Sequence, residues 1–282
     1  MSILMKGLDV TKAMKEKMIV EVENLKIKEI IPTLGIIRVG ARSDDLAYER
    51  GAIKRCESVG VKVKVFELAE NISQEDMATE VKKINNNKLI HGILIFRPLP
   101  SHLSEDDIKF LISPEKDVDC MNPINISKVF TGDESGFAPC TPEAVIEMLD
   151  YYDIPIQGKN IVIIGRSMVI GKPLSMLLLK RNATITVCHT RTKNITEITK
   201  KAEILIAAAG KANMVTKDYI STGTVVVDVG INVDEAGNLC GDVDFKDVEA
   251  FVESITPVPG GVGTVTTSVL VKHVIKAAGI KV

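Results

Sequence analysis

Four short aliphatic runs, Ile161–Ile164, Thr184–Cys188, Ile204–Ala209 and Val225–Val229, are separated by longer segments of helical character. Runs of this length, rich in β-branched residues, suit strands buried on both faces. Strands that alternate with helices pair in parallel through right-handed crossovers. The second half of the chain is thereby restricted to a doubly wound α/β unit. The first half follows the same rule with fewer strands. Thr33–Val39 and Ile90–Phe96 are apolar runs, and Val61, Val63 and Val65 alternate with Lys62 and Lys64 at strand period. Met14, Met18, Val22 and Leu25 recur at helical spacing, and Asp44–Val59 and Ser73–Ile84 read as further helices.

With 282 residues the chain has room for roughly two domains. Between the halves, Ser113 to Cys140 carries three Pro and two Gly and reads as a long irregular connection, a place where function concentrates. A helix opens near Pro142, and Thr264–Ala278 reads as a last helix behind the glycine-rich Pro257–Gly263 segment. The 35 basic and 37 acidic residues nearly cancel, which argues against a nucleic-acid partner. No run approaches the length of a membrane span and the opening residues form no signal peptide, so a cytoplasmic location is expected. Cys56, Cys120, Cys140, Cys188 and Cys240 are scattered, with no C-x-x-C pair. They are expected to be buried free thiols, and no metal site is expected.

The most specific chemistry lies after the first strand of the second half. Gly165 permits a tight turn, Gly171 permits close approach of backbone to a ligand, and Pro173 suits the first turn of a helix whose N-terminus favours an anion. The spacing is G-x-x-x-x-x-G rather than the usual dinucleotide fingerprint. At the end of the next strand, Val187–Arg191 lacks the acidic residue that grips the ribose of NAD. Arg166 and Arg191 suit a 2′-phosphate instead, which favours NADP over NAD. By itself His189 reads as structural.

Several segments together resemble one family. Pro139-Cys-Thr-Pro142, Gly165-Arg-Ser167, Asn182-Ala-Thr184, Val187-Cys-His189, Asp228-Val-Gly-Ile-Asn232, Gly241-Asp-Val-Asp-Phe245 and Thr256-Pro-Val-Pro-Gly-Gly-Val-Gly263 look like the methylenetetrahydrofolate dehydrogenase/cyclohydrolase, or FolD-type, proteins. The likeness runs along essentially the whole chain. It implies an α/β folate-binding catalytic domain over 1–138, with the helix 264–282 packing back on it. It also implies a Rossmann-like NADP-binding domain over 139–263, a cleft between the two, and a homodimer formed through the Rossmann domains. The implied reaction is NADP-dependent oxidation of 5,10-methylenetetrahydrofolate, followed in most members by hydrolysis to 10-formyltetrahydrofolate. The cofactor residues so implied are Gly165, Arg166, Ser167, Gly171, Pro173, His189, Thr190, Arg191 and Ile231. On the substrate side stand Tyr48, Pro98, Leu99, Asp119, Pro259, Gly260 and Gly261.

The match breaks at the folate pocket. The family's tyrosine and aspartate correspond to Tyr48 and Asp119, but its lysine position holds Ala52 and its glutamine position holds Phe96. Cys120 stands where glycine is usual, and Thr264-Val265 replaces Pro-Met. Lys54 is no substitute: at about 100° per residue it lies some 240° around the helix from Tyr48, whereas Arg55 returns to within about 20°. Arginine stays protonated and serves poorly as a proton shuttle. Hydride transfer from the methylene carbon demands no proton transfer there, but hydrolysis of the product cation does. The sequence therefore predicts a dehydrogenase whose cyclohydrolase step is weak or lost. Three other readings stay open: a fully bifunctional enzyme, a folate- or nucleotide-binding paralogue without catalysis, and a dehydrogenase for another small substrate.

Overall fold

A computed structural model describes residues 2–280. In chain order the strands are β1 (Ile3–Leu4), β2 (Thr33–Val39), β3 (Lys62–Leu68), β4 (Gly92–Ile95), β5 (Asn160–Ile164), β6 (Thr184–Cys188), β7 (Ile204–Ala207), β8 (Val225–Asp228), β9 (Asn232–Val233), β10 (Leu239–Cys240) and β11 (Ser254–Ile255). The helices are α1 (Gly7–Ile27), α2 (Ser43–Glu57), α3 (Gln74–Asn86), α4 (Glu105–Ile108), α5 (Pro123–Thr131), α6 (Cys140–Tyr151), α7 (Gly171–Lys180), α8 (Ile195–Thr199), α9 (Phe245–Val248) and α10 (Val262–Gly279). Among the described residues no helix is long and apolar enough to cross a membrane.

The chain forms two compact units, both of mixed α/β type. One comprises Ala13–Cys140 and the stretch from Thr267 on; the other comprises the residues up to Lys12 and Thr141–Thr266. The division differs from the expected 1–138 and 139–263 at the start of the chain. Ile3 and Leu4 pair in parallel with Ser254 and Ile255, so hydrogen bonding ties the opening residues to the second sheet. At the other end the boundary falls three residues later than expected, inside α10. Residues 281 and 282 of the expected last helix lie outside the described residues.

In the first unit three parallel strands run in the order β3-β2-β4. The central strand β2 is almost wholly buried, as its uninterrupted Leu34-Gly-Ile-Ile run requires. Ile37, Val39, Met77, Val81, Ile84, Ile93 and Ile95 share one core between the sheet and α3. The Ser73 side chain caps α3 by accepting from the Asp76 N–H at 3.1 Å. A Cβ added at Gly92 would lie 2.6 Å from Val118 and 3.0 Å from Val274, so α10 lies tight against β4 in this unit. The segment expected to be irregular contains α5, started by Asn122 and Pro123 and ended by Gly132 in the left-handed region. A helix of nine residues between polar caps leaves only a faint periodic trace.

The second unit is a six-stranded parallel sheet in the order β1-β11-β8-β7-β5-β6. The order reverses between β5 and β7, and the carboxyl ends of strands at such a reversal form a ligand crevice. A short antiparallel hairpin, β9–β10, stands apart from the main sheet. Of the five thiols, all expected to be buried, four are; Cys240 on β10 is half-exposed.

Candidate functional site

In the second unit the site grows from the turn after β5. Gly165 has φ +133, and a Cβ there would lie 2.1 Å from the Ala208 carbonyl oxygen beyond β7. A Cβ at Gly171 would lie 2.1 Å from the Gly165 carbonyl oxygen. Both positions therefore exclude any side chain, and the turn closes directly onto the strand-order reversal. The Ser167 Oγ accepts from the Ile170 N–H at 3.1 Å, fixing the approach to α7. Pro173 is buried in the first turn of α7.

A cavity of about 410 Å³ opens against this turn. Ser167, Ile170, Ala208, Gly210, Ile231 and Thr266 are among its walls. A helix N-terminus, a side-chain-free turn and a mostly apolar hollow at the reversal suit a dinucleotide. Of the expected cofactor residues, Ser167 and Ile231 line the cavity, while Gly165, Gly171 and Pro173 shape it. Arg166 and Arg191 are exposed, and Thr190 and His189 sit beyond the end of β6. The His189 Nδ1 accepts from the Arg191 backbone N–H at 3.2 Å, and the His189 backbone N–H donates to Thr192 Oγ1 at 2.9 Å, a turn-forming role. Pro259, Gly260 and Gly261 line a second hollow of about 210 Å³ in this unit, beside Asp228–Ile231 and Leu239.

Sequence reasoning quoted two carboxylates here without reading their role. Asp242, fully buried, accepts from the N–H groups of Ala209, Gly210 at 3.0 Å and Lys211 at 2.8 Å, and from Asn232 Nδ2 at 2.9 Å. Asp228 accepts from the N–H groups of Gly230 at 2.9 Å, Asp242 at 3.0 Å and Val243 at 2.9 Å. The two side chains tie the loops after β7, after β8 and after β10 into one floor. The signal was present as Asp-Val-Gly and Gly-Asp-Val; a Cβ on Gly241 would overlap the Asp228 carboxylate at 1.8 Å.

Burial pushes the Asp228 carboxyl up to about 6, against the three backbone donors that favour its charged form. The unfolded group titrates near 3.8, so the folded state holds an extra proton between those values. The stability this group contributes is complete below about 3.8 and is lost as pH rises through 6. Carboxyl-carbon NMR with labelled aspartate is expected to show one carboxyl, absent in Asp228→Asn, with a midpoint near 6. A midpoint at the ordinary value would show that the backbone donors outweigh burial.

Of the expected substrate residues, Tyr48, Pro98, Leu99 and Asp119 belong to the first unit. Tyr48 on α2 meets Phe96 at the end of β4 edge-to-face, with ring centroids 5.7 Å apart at 83°. Tyr48 is 39% exposed. Burial is the first reason the phenol pKa is raised; the neighbouring Cys140 and Asp119 push the same way and the Thr267 hydroxyl opposes. Ala52, one turn along α2, is fully buried, and Phe96 is 7% exposed. Asp119 Oδ1 accepts from the Cys140 N–H at 3.2 Å, and Oδ2 lies 3.6 Å from Arg97. Each oxygen keeps a further lone pair for a ligand. Pro98 is exposed after the Arg97–Pro98 turn, whereas Leu99 belongs to the core.

The loop carrying Asp119 is tied by the side chain of its neighbour Asp117. Asp117, buried, accepts from the N–H groups of Met121 and Asn122 at 2.8 Å each and from Asn125 Nδ2 at 2.9 Å. Burial raises its pKa above the ordinary value. Cys120 has φ +58, which explains why glycine suits this position. The amines of Lys116 and Lys276 are held by carbonyl oxygens: Asn85 and Asn87 for the first, Glu134 and Gly136 for the second.

Residues 5–119 match the model of the tetrahydrofolate dehydrogenase/cyclohydrolase catalytic domain, and residues 139–282 match that of its NAD(P)-binding domain. A relative from Clostridioides difficile, the bifunctional protein FolD, is 55% identical over 274 residues, covering 97% of this chain and 96% of its own. The crystal structure of bifunctional FolD from Campylobacter jejuni superposes with a TM-score of 0.97 at 39% identity, covering 100% of both chains. The Trypanosoma brucei enzyme, solved with NADP and an inhibitor, gives 0.92 at 34% identity over 99% of this chain and 98% of its own. On this evidence the chain belongs to the tetrahydrofolate dehydrogenase/cyclohydrolase family and is a FolD-type protein.

Proposed function

We propose that the chain oxidises 5,10-methylenetetrahydrofolate to the 5,10-methenyl form with NADP, and that its hydrolysis of the methenyl product is slow. NADP, when bound, supplies the acceptor for the two electrons and the hydrogen that leave the methylene carbon. The protein's own task in that step is positioning. The Tyr48 ring offers a flat apolar face to the folate, with Phe96 supporting it from behind. The Asp119 carboxylate, held by the Cys140 N–H and Arg97, accepts from the pterin edge. The Asp228 and Asp242 network keeps the cavity floor at fixed shape.

Ala52 carries the second half of the proposal. Water adding to the methenyl cation must lose a proton, and the departing ring nitrogen must gain one. Ala52 and Phe96 place only hydrocarbon beside Tyr48, whose own phenol stays protonated because its pKa is raised. The absence of a tuned acid/base group typically lowers a rate by about 10²–10⁴-fold, or roughly 3–5 kcal/mol. Relatives such as the C. difficile protein are bifunctional FolD proteins by name, which favours the second reading, a fully bifunctional enzyme.

One pair of rates decides between them. NADPH formation from methylenetetrahydrofolate is expected to exceed the enzyme-catalysed decay of methenyl absorbance by at least about tenfold. Comparable rates would establish the bifunctional reading, and folate binding without NADPH formation would remove the enzymatic one. Titration with NAD and NADP in the same assay tests the cofactor preference. Sedimentation of the purified protein tests the homodimer.

A further inference from the structure

We infer that Glu49 is a positioning residue for Tyr48: paired with Arg38 beneath α2, it holds the part of that helix from which the Tyr48 ring meets the folate. The inference deepens the proposed function and rests on its folate reading. Ile37 and Val39 on β2 enter the core shared with α3, so Arg38, between them, projects from the opposite face of the sheet. Arg38 is 4% exposed there, and all three guanidinium nitrogens are engaged. Nε donates to Glu49 Oε2 at 2.9 Å, Nη2 lies 3.1 Å from Glu67 Oε2, and Nη1 donates to the Gly40 carbonyl. Glu67 stands directly opposite Arg38 on β3 and its side chain is 70% exposed, whereas that of Glu49 is 12% exposed. Of the two pairs, the one with Glu49 is shielded from water and links the sheet to the helix.

The burial pattern of α2 gives that link its importance. The buried residues of the helix are Ala52 and Cys56, both in its second half. Over 43–51 no side chain is buried, Leu46 being only half-buried. The turns that carry Tyr48 therefore lack the apolar stripe that ordinarily docks a helix. Arg42, at the N-cap, makes no capping bond with its side chain, and it donates to the Pro98 carbonyl at 3.2 Å from an exposed position. Gly51 stands between Tyr48 and Ala52, and a Cβ there would meet nothing within 4 Å. A glycine that packing does not require loosens the helix where its anchored and unanchored halves join. Glu49, next to Tyr48 in the unanchored half, supplies through Arg38 the attachment that hydrocarbon does not.

Glu49→Ala is expected to raise the KM for methylenetetrahydrofolate about tenfold and to change kcat less than about threefold, because it frees the ring that places the substrate and touches no reacting group. Glu49→Gln keeps an oxygen acceptor at the same reach, so it should recover part of the loss, and it carries the test if Glu49→Ala fails to fold. Glu67→Gln removes the exposed carboxylate from the same guanidinium and is expected to leave KM within about twofold. In a Tyr48→Ala background Glu49→Gln is expected to have no further effect. An equal loss in both backgrounds, an equal loss in Glu67→Gln, or no loss at all would overturn the inference. Amide hydrogen exchange gives a measurement that does not depend on the reaction. In Glu49→Gln the amides of 47–51 are expected to exchange at least about fivefold faster, with those of 53–57 unchanged within about twofold. If exchange rises in this way but no folate binds, the attachment stands and the folate reading fails. If exchange rises evenly along α2, or not at all, the positioning role fails even where the dehydrogenase is active.

Discussion

Replacing Ala52 with Lys and Phe96 with Gln together is expected to raise the rate of methenyltetrahydrofolate hydrolysis about 10²-fold. Dehydrogenation in the double variant should change by less than about fivefold, since that step depends on placement. Position 52 lies one helical turn from Tyr48 and is fully buried. An amine introduced there loses part of its hydration, which lowers its pKa toward neutrality and fits it for proton exchange. Phe96 must change with it, because its ring stands against Tyr48 and offers the amine no acceptor. Ala52→Lys alone places an ammonium against hydrocarbon and is expected to lower stability with little gain in hydrolysis. Methenyl decay and NADPH formation, measured on the same preparations, read both rates. No gain in the double variant would show that the slow step has a cause other than the missing acid/base group.

Asp242→Ala is expected to destabilise the protein by about 3–5 kcal/mol and to weaken NADP binding at least about tenfold. The substitution removes the acceptor for three backbone N–H groups and the Asn232 amide. Each buried donor left without a partner costs about 1–3 kcal/mol, reduced where loop movement lets water in. Gly210 is one of the affected donors and also lines the dinucleotide cavity, so stability and cofactor affinity are coupled there. Asp242→Asn keeps the volume but turns an NH₂ toward N–H donors, and it should recover only part of the loss. Urea unfolding together with NADP titration measures both effects; an unchanged midpoint would mean that the loops hold without this carboxylate.

The central strands and long helices were legible because their patterns are strong. Thr33–Val39 and Thr184–Cys188 match the structure at both ends, since each is an unbroken run with punctuation on either side. Elements held by partners far along the chain were not legible. β1 and β11 have two residues each and exist only through pairing with distant strands, so neither carries a period of its own. The β9–β10 hairpin is equally short. In the site, Gly165 and Gly171 were readable because close backbone approach demands glycine. Asp228 and Asp242 look from sequence like ordinary loop acids; their acceptor role depends on three loops converging.

The pairing of β1 with β11 and the placement of α10 have an effect on how the polypeptide reaches its native state. Neither half is a continuous piece: the six-stranded sheet takes its outermost strand from the opening residues, and the three-stranded unit takes its closing helix from the far end. Both halves must await segments made at opposite times during synthesis, so assembly is governed by contacts of very long sequence separation. A fragment beginning near residue 139 would expose the β11 edge and be prone to self-association.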